Sequence, residues 1–302
     1  MNPDLDRMSE IAAGIRRRVL EHSVKNNGGY MSQACSAAEL LAACYGGAVR
    51  LGSVAAPYEP PAFTAVPRPG GQPQSGAVVH GPVAPDADRF IISPAHYALV
   101  VYAALIETGR LAEHALDQFN ADGGTIEMIG AEHSPGFETT TGSLSQALSQ
   151  AGGIALARKL KGDTGRTWVF LSDGEFQEGQ TWEALAALAF HEIPGVRVIV
   201  DVNQAQCDGP MDQVMTVEPL AERVRAFGAS ADVVDGHDLS ALVTAMQRDS
   251  DRPHVVLAYT DPTRGLPLLE ERRPVLHYLR FTSEDERAKY ADAYAEMAGR
   301  SL

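Results

Sequence analysis

Positive charge, cysteine and long apolar runs are all scarce in this sequence. Its 302 residues hold 25 Lys and Arg against 39 Asp and Glu, a net charge of −14. Such a surface repels nucleic-acid backbone and anionic membrane, so neither is an expected partner. A phosphate ligand would have to be met by a metal ion or by a nest of backbone N–H groups. The three cysteines, Cys35, Cys44 and Cys207, are too few and too scattered for a disulfide framework or a zinc site. They read as reduced thiols. No run approaches the ~20 apolar residues of a membrane-spanning helix. The opening Met1-Asn2-Pro3-Asp4 has no basic stretch leading into an apolar one. A soluble, cytoplasmic protein is the expectation. No internal repeat is visible, and no Gly-x-Gly-x-x-Gly follows a strand, which argues against a nicotinamide-binding protein.

What is present is an ordinary globular composition, 45% hydrophobic with 28 Gly and 18 Pro. A chain this long can bury a core without staples. The first segment reads as a helix capped by Asn2, with Pro3 at its first position. Leu5, Met8, Ile11, Ala12, Ile15 and Val19 form its apolar face, and Asn26-Asn27-Gly28-Gly29 stops it. A second helix is expected from Ser36 to Tyr45, with Ser36 and Glu39 as a capping box. Residues 52–87 hold eight prolines and five glycines and read as a long insertion loop.

Arg89–Ser93 then reads as a strand and Tyr97–Thr108 as a helix. A small-residue helix is expected over Ser143–Leu160. Beyond it the rhythm is β–α–β. Strands are expected at Trp168–Leu171, Val196–Val200, Ala231–Val234 and His254–Tyr259. Helices fall at Gln180–His191, Leu220–Phe227 and Leu239–Gln247, and a last one at Ser283–Gly299. Alternation of this kind implies an α/β fold, a three-layer parallel sheet with helices on both faces. Ligands in such sheets sit beyond the carboxyl ends of the strands.

Two strand ends stand out. Ser172-Asp173-Gly174-Glu175 follows one strand, and Asp201-Val202-Asn203-Gln204-Ala205 follows the next. Asp173 and Asn203 lie one crossover apart. If the strands are neighbours, a carboxylate, an amide oxygen and a backbone carbonyl share one crevice. Those hard oxygen ligands suit Mg²⁺ or Ca²⁺, completed by phosphate oxygens and water. Gly174 lets a phosphate approach the backbone, and the helix start that follows favours the anion. The pattern describes a site for a metal-bridged diphosphate. Asp201 and Asp208 flank it as supporting residues.

Ser172-Asp173-Gly174, about thirty residues and then Asn203 resembles the thiamine-diphosphate motif. The stretch from Leu171 to Gly209 is similar to the transketolase family in particular. So are Thr140-Thr141-Gly142-Ser143-Leu144-Ser145-Gln146 and Phe90-Ile91-Ile92-Ser93-Pro94-Ala95-His96. The resemblance covers nearly the whole chain except residues 52–87. It implies that residues 1–302 form a single diphosphate-type thiamine-diphosphate-binding domain, the first domain of that family. It implies Asp173, Asn203 and the Ala205 carbonyl as metal ligands. Ser172, Gly174, the Glu175 N–H, Gly142, Ser143 and Leu144 would lie against the cofactor. His96 and His277 would face the reacting centre, with Tyr30 where the family has a histidine. Glu178 matches a glutamate buried at the subunit interface.

Other departures cluster on the substrate side. Met128 stands near a second family histidine, with His133 close by. Pro262-Thr263-Arg264-Gly265 replaces a Lys-Gly-Lys-Gly stretch. The resemblance therefore implies a retained cofactor site beside a remodelled substrate site.

The implied activity is transfer of a two-carbon ketol unit from a ketose phosphate to an aldehyde or to a carrier protein such as an acyl carrier protein. It belongs to a pathway-specific enzyme. The chain would be the N-terminal subunit of a split enzyme. A second subunit would carry the pyrimidine-binding and C-terminal domains, in a heterotetramer. The alternatives are the α-subunit of a decarboxylating 2-oxo acid dehydrogenase-type enzyme and a non-catalytic scaffold.

Overall fold

The computed structural model describes residues 4–64, 70 and 74–299. The chain opens with α1 (Leu5–Lys25) and α2 (Met31–Ala43), then β1 (Arg89–Ile92) and α3 (Ala98–Glu107). Next come α4 (Gln146–Lys161), β2 (Thr167–Ser172), α5 (Gly179–Phe190) and β3 (Val196–Val202). A two-stranded hairpin, β4 (Ala205–Gln206) and β5 (Gly209–Pro210), leads into the single turn α6 (Met211–Val214). The rest is α7 (Leu220–Ala226), β6 (Ser230–Asp235), α8 (Leu239–Gln247), β7 (His254–Tyr259) and α9 (Glu284–Gly299).

The main sheet among the described residues is parallel, in the order β1-β2-β3-β7-β6. Strand side chains alternate between two cores. Trp168 and Phe170 of β2 face α1, α2, α3 and α8. Val169 and Leu171 face α4, α5 and α7. Both faces are buried, which is why these strands read as continuous apolar runs. The fold is the expected three-layer α/β sandwich.

Four local expectations need correction. Asn2 and Pro3 lie outside the described residues, and the cap of α1 is Asp4, whose side chain accepts from Arg7 N. The second helix begins at Met31, so Ser36 sits in its interior. Its hydroxyl donates to Asp201 across the core at 2.5 Å, and Glu39 pairs with Arg16 and His237 instead of boxing a cap. A buried polar helix face looks like a helix start when only spacing is read. The small-residue helix begins at Gln146, because Ser145 adopts φ +69 and turns the chain before it. At α9 the spacing of Ser283 and Glu286 predicts a capping box, yet while Ser283 accepts from Glu286 N, Glu286 reaches back to Thr282 rather than to Ser283.

In the Pro-rich region, Gly76–His80 forms one turn of 3₁₀ helix. His80 anchors it through Glu138 and Tyr45, and Tyr58 forms an isolated bridge with Leu111.

Candidate active site

β2 and β3 are neighbours in register, with Ser172 opposite Asp201. Their ends therefore open into one crevice at the carboxyl edge of the sheet. The chain leaves β2 through a 3₁₀ turn, Asp173–Gln177, in which Ser172 and Glu175 form a reciprocal capping box.

Glu175 is fully buried. Its carboxylate accepts from Ser145 N at 2.8 Å, from Ser172 N at 2.9 Å and from the Ser93 hydroxyl. Its backbone carbonyl accepts from the Ser145 and Thr181 hydroxyls. One side chain thus ties the end of β1, the end of β2 and the start of α4. Burial pushes its carboxyl up against those donors.

The tie holds the Gly142–Leu144 turn beside the crevice. Leu144 is exposed there, and Gly142 takes φ +100, a conformation that favours glycine. Gly174 is different. A Cβ there would meet only Gln206 Nε2, at 3.6 Å. Nothing within the chain demands that glycine.

Asp173 is 2% exposed. Its Oδ2 accepts from Gln204 N at 2.7 Å, joining the β2 end to the loop after β3. Burial, then the charge of Asp201, pushes its carboxyl up to about 8, against the Gln204 and Gly174 N–H groups. Two buried carboxylates set against each other are the electrostatic condition that a divalent cation relieves. Asn203 Oδ1 accepts from Ala205 N at 2.9 Å. Among the described residues no group of three or more His, Cys, Asp or Glu side chains could hold a metal by itself. A cation here must also use amide, carbonyl and ligand oxygens, the set suited to Mg²⁺ or Ca²⁺. The residues present fit such an ion.

The second half of the site is aromatic. The Tyr30 ring lies 6.1 Å from His96, 5.6 Å from His277 and 4.9 Å from Tyr278, centroid to centroid. His96 and His277 are 4.9 Å apart. The structure therefore brings Tyr30, His96 and His277 together from three distant segments. Burial, then the neighbouring His277, pulls His96 down to about 3, so the ring is neutral near pH 7. Burial also lowers His277, with Asp208 pulling it up. The two halves join at the Ala95–Tyr97 turn. His96 faces His277, while the Tyr97 hydroxyl donates to Asp201 at 2.6 Å.

Met128, not His133, lines the cavity of about 190 Å³ beside Tyr30 and Tyr278. His133 is engaged by Glu127 at 2.9 Å and by the Phe63 ring. Glu178 stands exposed at the start of α5. Sequence reasoning missed Gln33, whose amide donates to the His277 carbonyl at 3.1 Å. It also missed Tyr97 and Tyr278. The signal for Tyr278 was its position beside His277; Gln33 left no signal, because a glutamine inside a helix carries no spacing.

The family described as "Transketolase, thiamine diphosphate binding domain" matches residues 78–275. A transketolase family protein of Sinorhizobium fredii is 35% identical over 92% of both chains. The 6-deoxy-6-sulfo-D-fructose transketolase subunit of a Clostridium species is 30% identical over 72% of this chain and 81% of its own length. In fold, the transketolase of Leishmania mexicana superposes with a TM-score of 0.69 at 19% identity, over 97% of this chain. The chain spans only 45% of that transketolase. By family match and relatives together, the chain belongs to the transketolase family and corresponds to its N-terminal, thiamine-diphosphate-binding part.

Proposed function

We propose that this chain is the diphosphate-binding subunit of a split transketolase-like enzyme that works with thiamine diphosphate and Mg²⁺. The observation that carries the reading is the placement of buried Asp173 and of Asn203 just past the ends of adjacent strands. The Asp173 carboxylate, Asn203 Oδ1 and the Ala205 carbonyl hold the metal. Gly174 and the Glu175 N–H lie against the diphosphate, with Ser172, Gly142, Ser143 and Leu144 around the cofactor. Bound there, the cofactor supplies the nucleophilic carbon for transfer of a two-carbon ketol unit from a ketose phosphate to an aldehyde or a carrier protein.

The chain's own residues orient and enclose. His96, neutral near pH 7, accepts a hydrogen bond or a proton from the substrate rather than presenting a positive charge. Tyr30 and His277 wall the same space and exclude water. The Tyr30–Tyr278 pair offers this wall fewer ring nitrogens for hydrogen bonding than a set of histidines would, and favours a donor or acceptor with fewer hydroxyls to bind. A second subunit supplies the pyrimidine-binding and C-terminal domains, in a heterotetramer of the cytoplasm. Glu178, exposed on this chain, then lies at an interface. The mutual 92% coverage with the Sinorhizobium fredii relative and the name "subunit" of the Clostridium relative support a split arrangement.

The test is a donor screen on the complex of this chain with its partner chain. Ketose phosphates should turn over and 2-oxo acids should not. Turnover of 2-oxo acids alone would point to a decarboxylating α-subunit, and turnover of neither to a scaffold.

A further inference from the structure

Asp201 sits at the floor of the crevice, fully buried, and touches no solvent. Four donors converge on it. Ser36 of α2 donates to its Oδ2 at 2.5 Å and Tyr97 does so at 2.6 Å. Thr260, just past β7, donates to its Oδ1. The fourth donor is the Asn203 amide, whose Nδ2 lies 3.1 Å from Asp201 Oδ2 and 3.1 Å from the Tyr97 oxygen.

The Asp201 Oδ2 and Tyr97 oxygens lie side by side, 2.6 Å apart, and both face this NH₂, so the amide presents its donor end to them. The Tyr97 hydroxyl spends its own hydrogen on Asp201, so toward Asn203 it can only accept. A flipped amide would set its oxygen against two acceptors. The Asn203 oxygen is therefore forced to the opposite side, where it meets Ala205 N.

We infer that Asp201 and Tyr97 are positioning residues that lock the Asn203 amide with its oxygen toward the metal position. The inference rests on the metal-site reading given above. The lock is a rigid arrangement behind the ligand, the kind that sets metal affinity by about 10- to 100-fold. It explains why an acid with no solvent contact stands two residues before the ligand. It explains too why the partners of that acid come from α2, the entry turn of α3 and the end of β7. It also accounts for an amide at a position where a carboxylate would be the stronger Mg²⁺ ligand. A carboxylate there would face Asp201 with like charge.

The experiment is calorimetric titration of Mg²⁺ with thiamine diphosphate into the complex of the full chain with its partner chain. Four proteins are compared: native, Tyr97→Phe, Asn203→Asp and the double variant Asp201→Asn/Asn203→Asp. Tyr97→Phe should weaken Mg²⁺ affinity about tenfold. Asn203→Asp should weaken it as well, although the new side chain is the better ligand. The double variant should recover most of that loss, because the amide now at position 201 can donate to the carboxylate now at position 203. Native-like affinity in Tyr97→Phe, or affinity in Asn203→Asp equal to or above native, overturns the lock. If Tyr97→Phe proves unstable, the exchanged amide–carboxylate pair decides alone. Absence of metal-dependent binding in the native complex overturns the metal-site reading and the lock with it, and is told apart because the native protein itself fails.

Discussion

Asp173 and Gln204 are joined by a 2.7 Å hydrogen bond from backbone N–H to carboxylate, across the gap between the β2 and β3 ends. That bond fixes where a buried acid faces the loop carrying Asn203 and Ala205. It turns two sequence-distant fragments into one site. Gln204 takes φ +55 to present its N–H in this way, a left-handed conformation uncommon outside glycine.

A substitution at Gly174 should separate folding from binding. A methyl group there meets only Gln206 Nε2 at 3.6 Å. Gly174→Ala is expected to change unfolding free energy by less than about 0.5 kcal/mol. Thiamine diphosphate affinity should fall at least about tenfold. Denaturant unfolding and a binding titration on the same protein check the two halves. A fall in stability without a fall in affinity would place the glycine in the fold rather than the site.

Glu175 does the reverse. Truncation to alanine strands the Ser145 and Ser172 N–H groups in a buried place. Glu175→Ala should cost about 3 kcal/mol. In urea unfolding the midpoint should drop with the slope unchanged. Restoring the shape but not the charge, Glu175→Gln, should recover part of the loss.

Acid should loosen the α1–α2 side of the fold in two stages. Burial pulls His22 from 6.5 down to about 4. The stability tied to that neutral ring is full above pH 6.5 and is lost as pH falls toward 4. Burial pushes Glu39 up, but hydrogen bonds from His237 and Arg16 more than reverse it, leaving about 2 against an ordinary 4.5. Its contribution is full above pH 4.5 and is lost as pH falls through 4.5 toward 2. Relative to a His22→Gln variant, the native protein should lose unfolding free energy as pH falls from 6.5 toward 4, and relative to Glu39→Gln as pH falls below 4.5. Glu39→Gln should flatten the lower stage only.

Much of this was legible in the chain. All five strands of the main sheet, the β–α–β rhythm and the adjacency of the strands that lead to Asp173 and Asn203 follow from apolar runs and from one crossover spacing. The helix Leu239–Gln247 and the strand His254–Tyr259 fall where periodicity places them. Ser36 shows what was hidden: a serine reads as a cap by its local habit, yet here its hydroxyl serves Asp201 from inside a helix. From the sequence, Glu175 is expected to matter only for its backbone N–H. That its carboxylate would hold three elements together was not legible, because burial of a charged side chain depends on packing that only the assembled fold defines. Gln33 and Tyr97 belong to the same class. Their partners lie 244 and 104 residues away along the chain.

His96 gives a kinetic signature. Burial and His277 hold it near 3, so it does not titrate in the neutral range. His96→Ala should lower kcat/KM of the complex about 100-fold, by the same factor at every pH from about 5 to 8. A variant that removes an inflection near pH 6.5 would show that the histidine acts as a cation.

The central claim is a metal-bridged diphosphate held by Asp173 and Asn203. Its most direct test is titration of thiamine diphosphate into the complex with Mg²⁺ and again with a chelator, in native protein and in Asp173→Ala and Asn203→Ala. Binding should saturate with Mg²⁺, disappear with the chelator, and fall at least about 100-fold in both variants. Binding that survives chelation and is equal in Asp173→Ala would contradict it.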